Sequence, residues 1–437
     1  MFKKTIERLI DVSYAFRGIW LYQNYLKDSC LLPKGKMEQY QFEKLKKLLI
    51  ESKENVPYYK ELFEKIKFDP KKNFNSLDDL TNIPILKKEV LRANREKFIN
   101  KKYSKNAIEF KTSGSSGNPF SALISPNHWI VEQGVVWRHW KWGGYNFRDK
   151  MAIVRSHTPK NENELIKIDK IRNFYYYSPF HLTDKNIKMY LEHMINEGIV
   201  FLRGYPSSLL SLANYVHKKG CKIPKIKGML TASEVLTDED RKVIESAFKA
   251  KISNHYGLAE QIVMFGDCEK HEGLHNYDEY GYLELLDTED KSIKKIIGTN
   301  LNNLAMPLIR YNTGDLAEIS EQGCSCGRSS QVIKNVIGRH DSQIVTPEGN
   351  KIPSVNFYTM LEYYPVESWQ LIQHSIHNIE VIFHGDNLEN KKEELYLKLK
   401  EDLSYRLPKS INFEMTINKP FIKVGEGKKN PFISLLK

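Results

Sequence analysis

The sequence predicts an α/β protein, with a large layered α/β N-terminal domain and a small α+β C-terminal domain. Three observations lead there. From about residue 105 to about residue 340, short apolar runs alternate with stretches of helical period, the pattern of strands layered with helices. The last hundred or so residues change rhythm. "SWQLIQHSI", "NIEVIFHGD" and "INFEMTI" read as strands, and "NKKEELYLKLKEDLSYRL" as an amphipathic helix. Between these regions lies "GRHDSQIVTPEGNK", polar and punctuated by Gly and Pro, which sets the predicted domains at 1–340 and 341–437.

At the N-terminus, Ile6, Leu9, Ile10, Ala15, Phe16 and Ile19 recur at near-helical spacing. This reads as a helix docked on the domain or, alternatively, as a basic amphipathic helix making peripheral contact with a membrane. It is not a signal peptide, because Glu7, Arg8, Asp11 and Arg17 interrupt any apolar core. Residues 36–100 read as helices broken at Pro57, Pro70 and Pro84. Ala107 to Phe110 alternates like a strand and leads into "KTSGSSGNPF". In "GMLTASEVLTDEDRKVIESAF" a buried strand near Met229-Leu230 is followed by a helix. Thr237 can cap that helix, and Val243, Ile244, Ala247 and Phe248 share one face.

The 437 residues suffice for a large core, and 41% hydrophobic with 27% charged content is ordinary for a globular chain. The net charge of +12 comes from scattered lysines, which suit solvated faces or an anionic partner. No nucleic-acid partner is expected, because no RNP, helix-turn-helix or zinc-finger pattern accompanies the charge. No window holds 18 uninterrupted apolar residues, so no spanning helix is expected. Five cysteines in a chain this long suit a reducing, cytoplasmic setting rather than a disulfide scaffold.

Residues 111–120 pack two glycines, three serines and a threonine into a loop after a strand. Such a loop can wrap a phosphate with N–H groups and hydroxyls, although a surface linker has the same composition. It is not a Walker loop, since no G-x-x-x-x-G-K-[ST] is present. Four further stretches accompany it: "NHYGLAE" (254–260), "MPLIRYNTGD" (306–315), "VIGRHD" (336–341) and "VGEGKKNPF" near the C-terminus.

In this order and spacing the stretches resemble the adenylate-forming superfamily of acyl- and aryl-CoA synthetases. The match is closest to the phenylacetate-CoA ligase family and its capsular-polysaccharide CapK-type branch. The resemblance runs from about residue 80 to the C-terminus, and "RGYPSSLLSLA" (203–213) also looks typical of the CapK branch. It implies that Thr112, Ser113, Gly114, Ser115, Ser116 and Gly117 hold the ATP phosphates. Ser233 and Glu234 would line the adenine side. Tyr256, followed by Gly257, would stack on adenine, and Glu260 would bind Mg²⁺. Asp315 would accept from both ribose hydroxyls, with Arg339 beside it. Asp341 would be the hinge of a mobile C-terminal lid, and Lys428 would steady the charge that develops as a carboxylate attacks the α-phosphate. Two departures stand out. No aromatic follows the Gly-Lys pair, which keeps Lys429 and Lys423 as alternatives to Lys428. "GLA" precedes Glu260 where the family usually has Thr.

Cys268, Cys324 and Cys326, with His271 or His275 between them, make a Cys₃His set of the kind that suits structural zinc. Some members of the phenylacetate-CoA ligase family carry a zinc in this arrangement, and the "GLH" match selects His275; reduced free thiols are the alternative. "WRHWKWGGYNF" and "NFYYYSPFHL" are rich in aromatics that line an acyl pocket or pack a core. Tyr205 and Pro206 are candidate borders of the carboxylate pocket.

The implied reaction joins a carboxylic acid to ATP, giving acyl-AMP and pyrophosphate, and then moves the acyl group to an acceptor. Its cofactors are ATP, Mg²⁺, structural Zn²⁺ and CoA. CoA is the default acceptor and a sugar amine or carrier the alternative, while a non-catalytic nucleotide-binding protein is the remaining class. A homodimer is the expected assembly.

Overall fold

A computed structural model describes residues 13–111, 121–161, 164–320, 323–337, 343–349, 351–354, 357, 360–361, 364–424, 428–429 and 432–436. The chain divides into two compact units. One comprises Met1–Phe110, Ser121–Gly143 and Ser253–Arg339; the other comprises Lys111–Phe120, Gly144–Ile252 and His340–Lys437.

The first unit opens with helices set by proline, as the sequence predicts. Lys34–Asn55 buries Met37, Gln41, Leu45, Leu48, Leu49 and Ser52, a three-to-four residue rhythm that turns one face inward. Pro57 and Pro70 each begin the next helix, where a missing N–H costs nothing. Helix Pro126–Trp142 is capped by the Ser125 hydroxyl, which accepts from the His128 amide. The N-terminal helical segment lies against it so closely that a Cβ on Gly18 would sit 2.4 Å from the Gln133 Cβ.

Seven strands complete this unit: Ile252–Gly257, Met264–Asp267, Leu274–Asn276, Gly281–Asp287, Ile293–Asn300, Tyr311–Ile319 and Val332–Ile337. All their pairings with one another are antiparallel. Here the structure corrects the sequence reading, which carried the strand–helix alternation to about residue 340. Among the described residues between Ile252 and Ile337 there is no helix. The physical reason is connection length. A parallel crossover needs about a dozen residues or more, and most of these strands are joined by fewer, so each folds back on a neighbour.

The second unit holds the alternating pattern. Strands Gly228–Ala232, Phe201–Gly204, Met151–Val154 and Phe174–Tyr177 run parallel in that spatial order, with Ile166–Asp169 antiparallel at the edge. Helices Asp184–Asn196, Pro206–Lys219 and Asp238–Phe248 pack on them through Tyr190, Leu191, Leu209, Leu212, Ile244 and Phe248. Thr237 caps the last of these, accepting from the Asp240 amide. The C-terminal segment of the same unit has strands Ser368–Ser375, Asn378–His384 and Asn412–Ile417, and helix Lys392–Ser404. These are the four elements read from the sequence. A final strand, Phe432–Ser434, was not foreseen; it adds in parallel beside Leu371 to Gln373.

Candidate active site

In the first unit, two strands deliver three of the expected side chains. Ile252–Gly257 carries Tyr256 and Gly257, and Tyr311–Ile319 carries Asp315. The Tyr256 hydroxyl donates to Asp315 Oδ2 at 2.7 Å. Gly314, at φ +81°, makes the turn that lets the Asp315 amide donate back to Thr313 Oγ1 at 3.1 Å. The Tyr256 ring stacks on Phe265, with centroids 5.4 Å apart and planes 19° apart. Burial, and then the Asp315 charge, raise the Tyr256 phenol far above its ordinary range, so it stays a donor. Gly257 is not dictated by packing: a Cβ there would meet only Met264 Cε, at 3.7 Å.

Glu260 is buried just beyond the first of these strands. Tyr311 donates its hydroxyl to Glu260 Oε1 at 3.0 Å, and Lys88 Nζ lies 3.2 Å from the same oxygen. Burial pushes the Glu260 carboxyl up, but Lys88 and the hydrogen bonds more than offset it, and the group is held below the usual carboxylate range. It is therefore a charged, oriented carboxylate, the donor type that Mg²⁺ takes.

In the second unit, Ser233 stands at φ +74°, a conformation a side chain rarely adopts. Glu234 accepts from the Ser207 amide at 3.0 Å and from its hydroxyl at 3.2 Å, at the start of the helix that Tyr205 and Pro206 introduce. The structure thus brings the two sequence-predicted groups, Ser233 with Glu234 and Tyr205 with Pro206, to one helix N-terminus. The Tyr205 hydroxyl hydrogen-bonds Ser156 Oγ at 3.0 Å.

Thr112, Ser113, Gly114, Ser115, Ser116, Gly117, Arg339 and Asp341 lie outside the described residues. Lys428 and Lys429 form a short strand paired with Lys423–Val424, so the three candidate lysines share one hairpin.

Away from these residues, but in the first unit, the four predicted zinc ligands converge. The ligand atoms of Cys268, His275, Cys324 and Cys326 all lie within 4.8 Å of one another. Cys268 and Cys324 sulfurs are 3.5 Å apart, and His275 Nε2 is 3.4 Å from Cys326 Sγ. His275 Nδ1 is engaged by the Ser330 hydroxyl at 2.9 Å, which leaves Nε2 facing the sulfurs. Burial drives the imidazole down to about 4, so it is neutral, as a ligand must be. His271 is not in this group. The set fits a tetrahedral zinc in donor type, number and spacing.

Sequence reasoning missed Lys88, Arg155 and Arg203. Arg203 sits inside "RGYPSS", where only the neighbours drew notice; Lys88 and Arg155 carry no motif and meet their partners through the fold.

The fold is that of the adenylate-forming ligases. A solved 2-hydroxyisobutyryl-CoA ligase, in complex with 2-HIB-AMP and CoA in its thioesterification state, superposes with a TM-score of 0.60 at 17% identity, over 92% of this chain and 91% of that one. No family model matches the sequence. Among curated proteins, the chain is 24% identical to Protein CapK of Staphylococcus aureus, over 88% of this chain and 86% of the relative. It is 26% identical to a phenylacetate-coenzyme A ligase of Thermus thermophilus, over 74% of this chain and 75% of the relative.

Proposed function

We propose that this chain is an AMP-forming carboxylic acid ligase. It joins an acid to ATP as an acyl-adenylate, releasing pyrophosphate, and passes the acyl group to an acceptor. The observation that supports this most directly is the Tyr256–Asp315 hydrogen bond beside the buried, ionised Glu260. Asp315 suits a ribose diol, because a carboxylate accepts from both hydroxyls. Tyr256 would meet the adenine ring on the face not covered by Phe265. Glu260 would hold Mg²⁺, which neutralises charge on the leaving pyrophosphate. Adenylation is in-line displacement at phosphorus, so positioning and positive charge suffice for it. Lys428 would provide that charge from the C-terminal hairpin, with residues 341–437 acting as a lid about Asp341.

CoA is the acceptor that the solved ligase and the phenylacetate-coenzyme A ligase point to. Similarity to CapK keeps a sugar amine or carrier as the second reading. Cys268, His275, Cys324 and Cys326 would hold zinc as a structural ion. Phe16, Trp20 and Tyr25, all exposed on the N-terminal helical segment, support peripheral membrane contact there. Among the described residues, no helix is long and apolar enough to cross a membrane.

ATP–pyrophosphate exchange across aryl, fatty, amino and dicarboxylic acids tests the reading. At least one acid should support exchange, and Lys428→Ala should cut it roughly 10²- to 10³-fold. ATP binding with no exchange for any acid would favour the non-catalytic class. For the metal, protein purified without chelator should carry about one zinc per chain. Elemental analysis showing none, or full zinc in the Cys324→Ser, Cys326→Ser double variant, would remove the site.

A further inference from the structure

Within the second unit, two guanidinium groups share one face at the C-terminal ends of the parallel strands, the end at which open α/β sheets bind ligands. Arg203 lies in strand Phe201–Gly204, in register with Ile153. Arg155 is two residues beyond Ile153 and so continues the same face. Its guanidinium carbon stands 5.0 Å from the centre of the Tyr205 ring, and its Nη2 is 3.5 Å from Ser233 Oγ. Both arginines are only partly exposed.

Hydroxyl groups surround them. Ser156 and Tyr205 hydrogen-bond each other at 3.0 Å, and Ser233 touches Arg155. The backbone is strained on both sides of the group: Ser156 sits at φ +57° and Ser233 at φ +74°. Such conformations cost about 1–3 kcal/mol each and gather where a ligand is clamped. Burial first, and Arg155 second, disfavour the charge on Arg203, and only the Tyr176 and Tyr205 phenols oppose them. A guanidinium keeps its proton in proteins, so an anion placed here would relieve a standing cost. Two forked donors with three hydroxyls suit a carboxylate, which accepts several hydrogen bonds at once. An apolar phenyl or alkyl end would leave these donors desolvated and unmatched.

We propose that the acid activated by this chain carries a second carboxylate, held by Arg155 and Arg203 while the first reacts with ATP. This rests on the acid-ligase reading and narrows it from carboxylic acids to dicarboxylic acids. The two arginines are specificity residues; neither takes part in the displacement at phosphorus.

The test measures ATP–pyrophosphate exchange with matched pairs: glutarate against valerate, phthalate against benzoate, and homophthalate against phenylacetate. In at least one pair, kcat/KM for the diacid should exceed that of the monoacid by roughly 100-fold, since a site built around polar donors rejects the analogue that lacks the acceptor. Arg203→Met should erase the preference by lowering the diacid rate and sparing the monoacid, and Arg203→Lys should keep part of it. Arg155→Met, nearer the strand end, should shrink the same ratio and serves if Arg203→Met does not fold. Equal rates within every pair, or monoacids preferred, would overturn the proposal and leave the ligase reading standing. A variant that raises the KM for ATP equally with every acid would assign the arginines to a nucleotide phosphate and also overturn it. No exchange with any acid would sink the ligase reading and this proposal together.

Discussion

Two buried glutamates of the first unit are each paired with a cation, and the pairs are built differently. Glu279 meets Arg138 with both oxygens, at 2.7 and 2.9 Å, and the Ser29 hydroxyl donates to it as well. The Arg138 side chain is 1% exposed and lies over the rings of Trp142 and Tyr277. Glu260 is touched by Lys88 and Tyr311 on a single oxygen, and Lys88 is 16% exposed. In both cases burial raises the carboxyl and the cation more than reverses it. Protonation state therefore does not separate the two; coordination does. A carboxylate saturated by a fixed fork is part of the framework, whereas one held through one oxygen by a flexible, compact ammonium can exchange its partner.

The largest effect should come from the framework pair. Glu279→Ala strands the Arg138 charge in the interior, and urea unfolding should show a loss of roughly 3–5 kcal/mol. Activity per folded molecule should hold. A loss near 1 kcal/mol or below, measured the same way, would mean that Glu279 is no more structural than Glu260.

Next in size is Glu260→Gln. The amide can still accept from Tyr311 and Lys88, so the unfolding midpoint should barely move, while exchange activity falls roughly 10²- to 10³-fold. If stability instead drops as it does for Glu279→Ala, the contrast between the two carboxylates collapses. Smallest is Asp315→Ala, which removes the proposed ribose acceptor and frees the Tyr256 hydroxyl. Isothermal titration should show ATP binding weakened by about 1–3 kcal/mol. Unchanged affinity in a folded variant would withdraw Asp315 from the nucleotide site.

What was legible in the sequence was what is carried locally. The Thr237 cap, the proline-started helices and the four C-terminal elements each follow from residues a few positions apart. The cysteine and histidine set was legible because the residue types are rare and their spacing is short on each side. What was not legible depends on register between distant segments. Lys88 reaches Glu260 across 172 positions, and Arg155 and Arg203 become neighbours only because two strands pair in parallel. Nor did hydropathy separate the helix-free stretch from the layered one, because short apolar runs look alike in both; connection length decides between them.

The hairpin that carries Lys423, Lys428 and Lys429 is secured at both ends by one strand. Gln370 accepts from the Ile422 amide and donates to the Ile422 carbonyl, both at 2.9 Å, and the next residue, Leu371, is in register with Phe432. Consecutive residues of strand Ser368–Ser375 thus clasp the entry to and the exit from a segment of about ten residues. Closing so short a loop removes most of its freedom before any substrate arrives. Whatever brings the strand to its working position brings the lysines with it. The last few residues of the chain, which look like a dispensable tail, are the second anchor that makes this so.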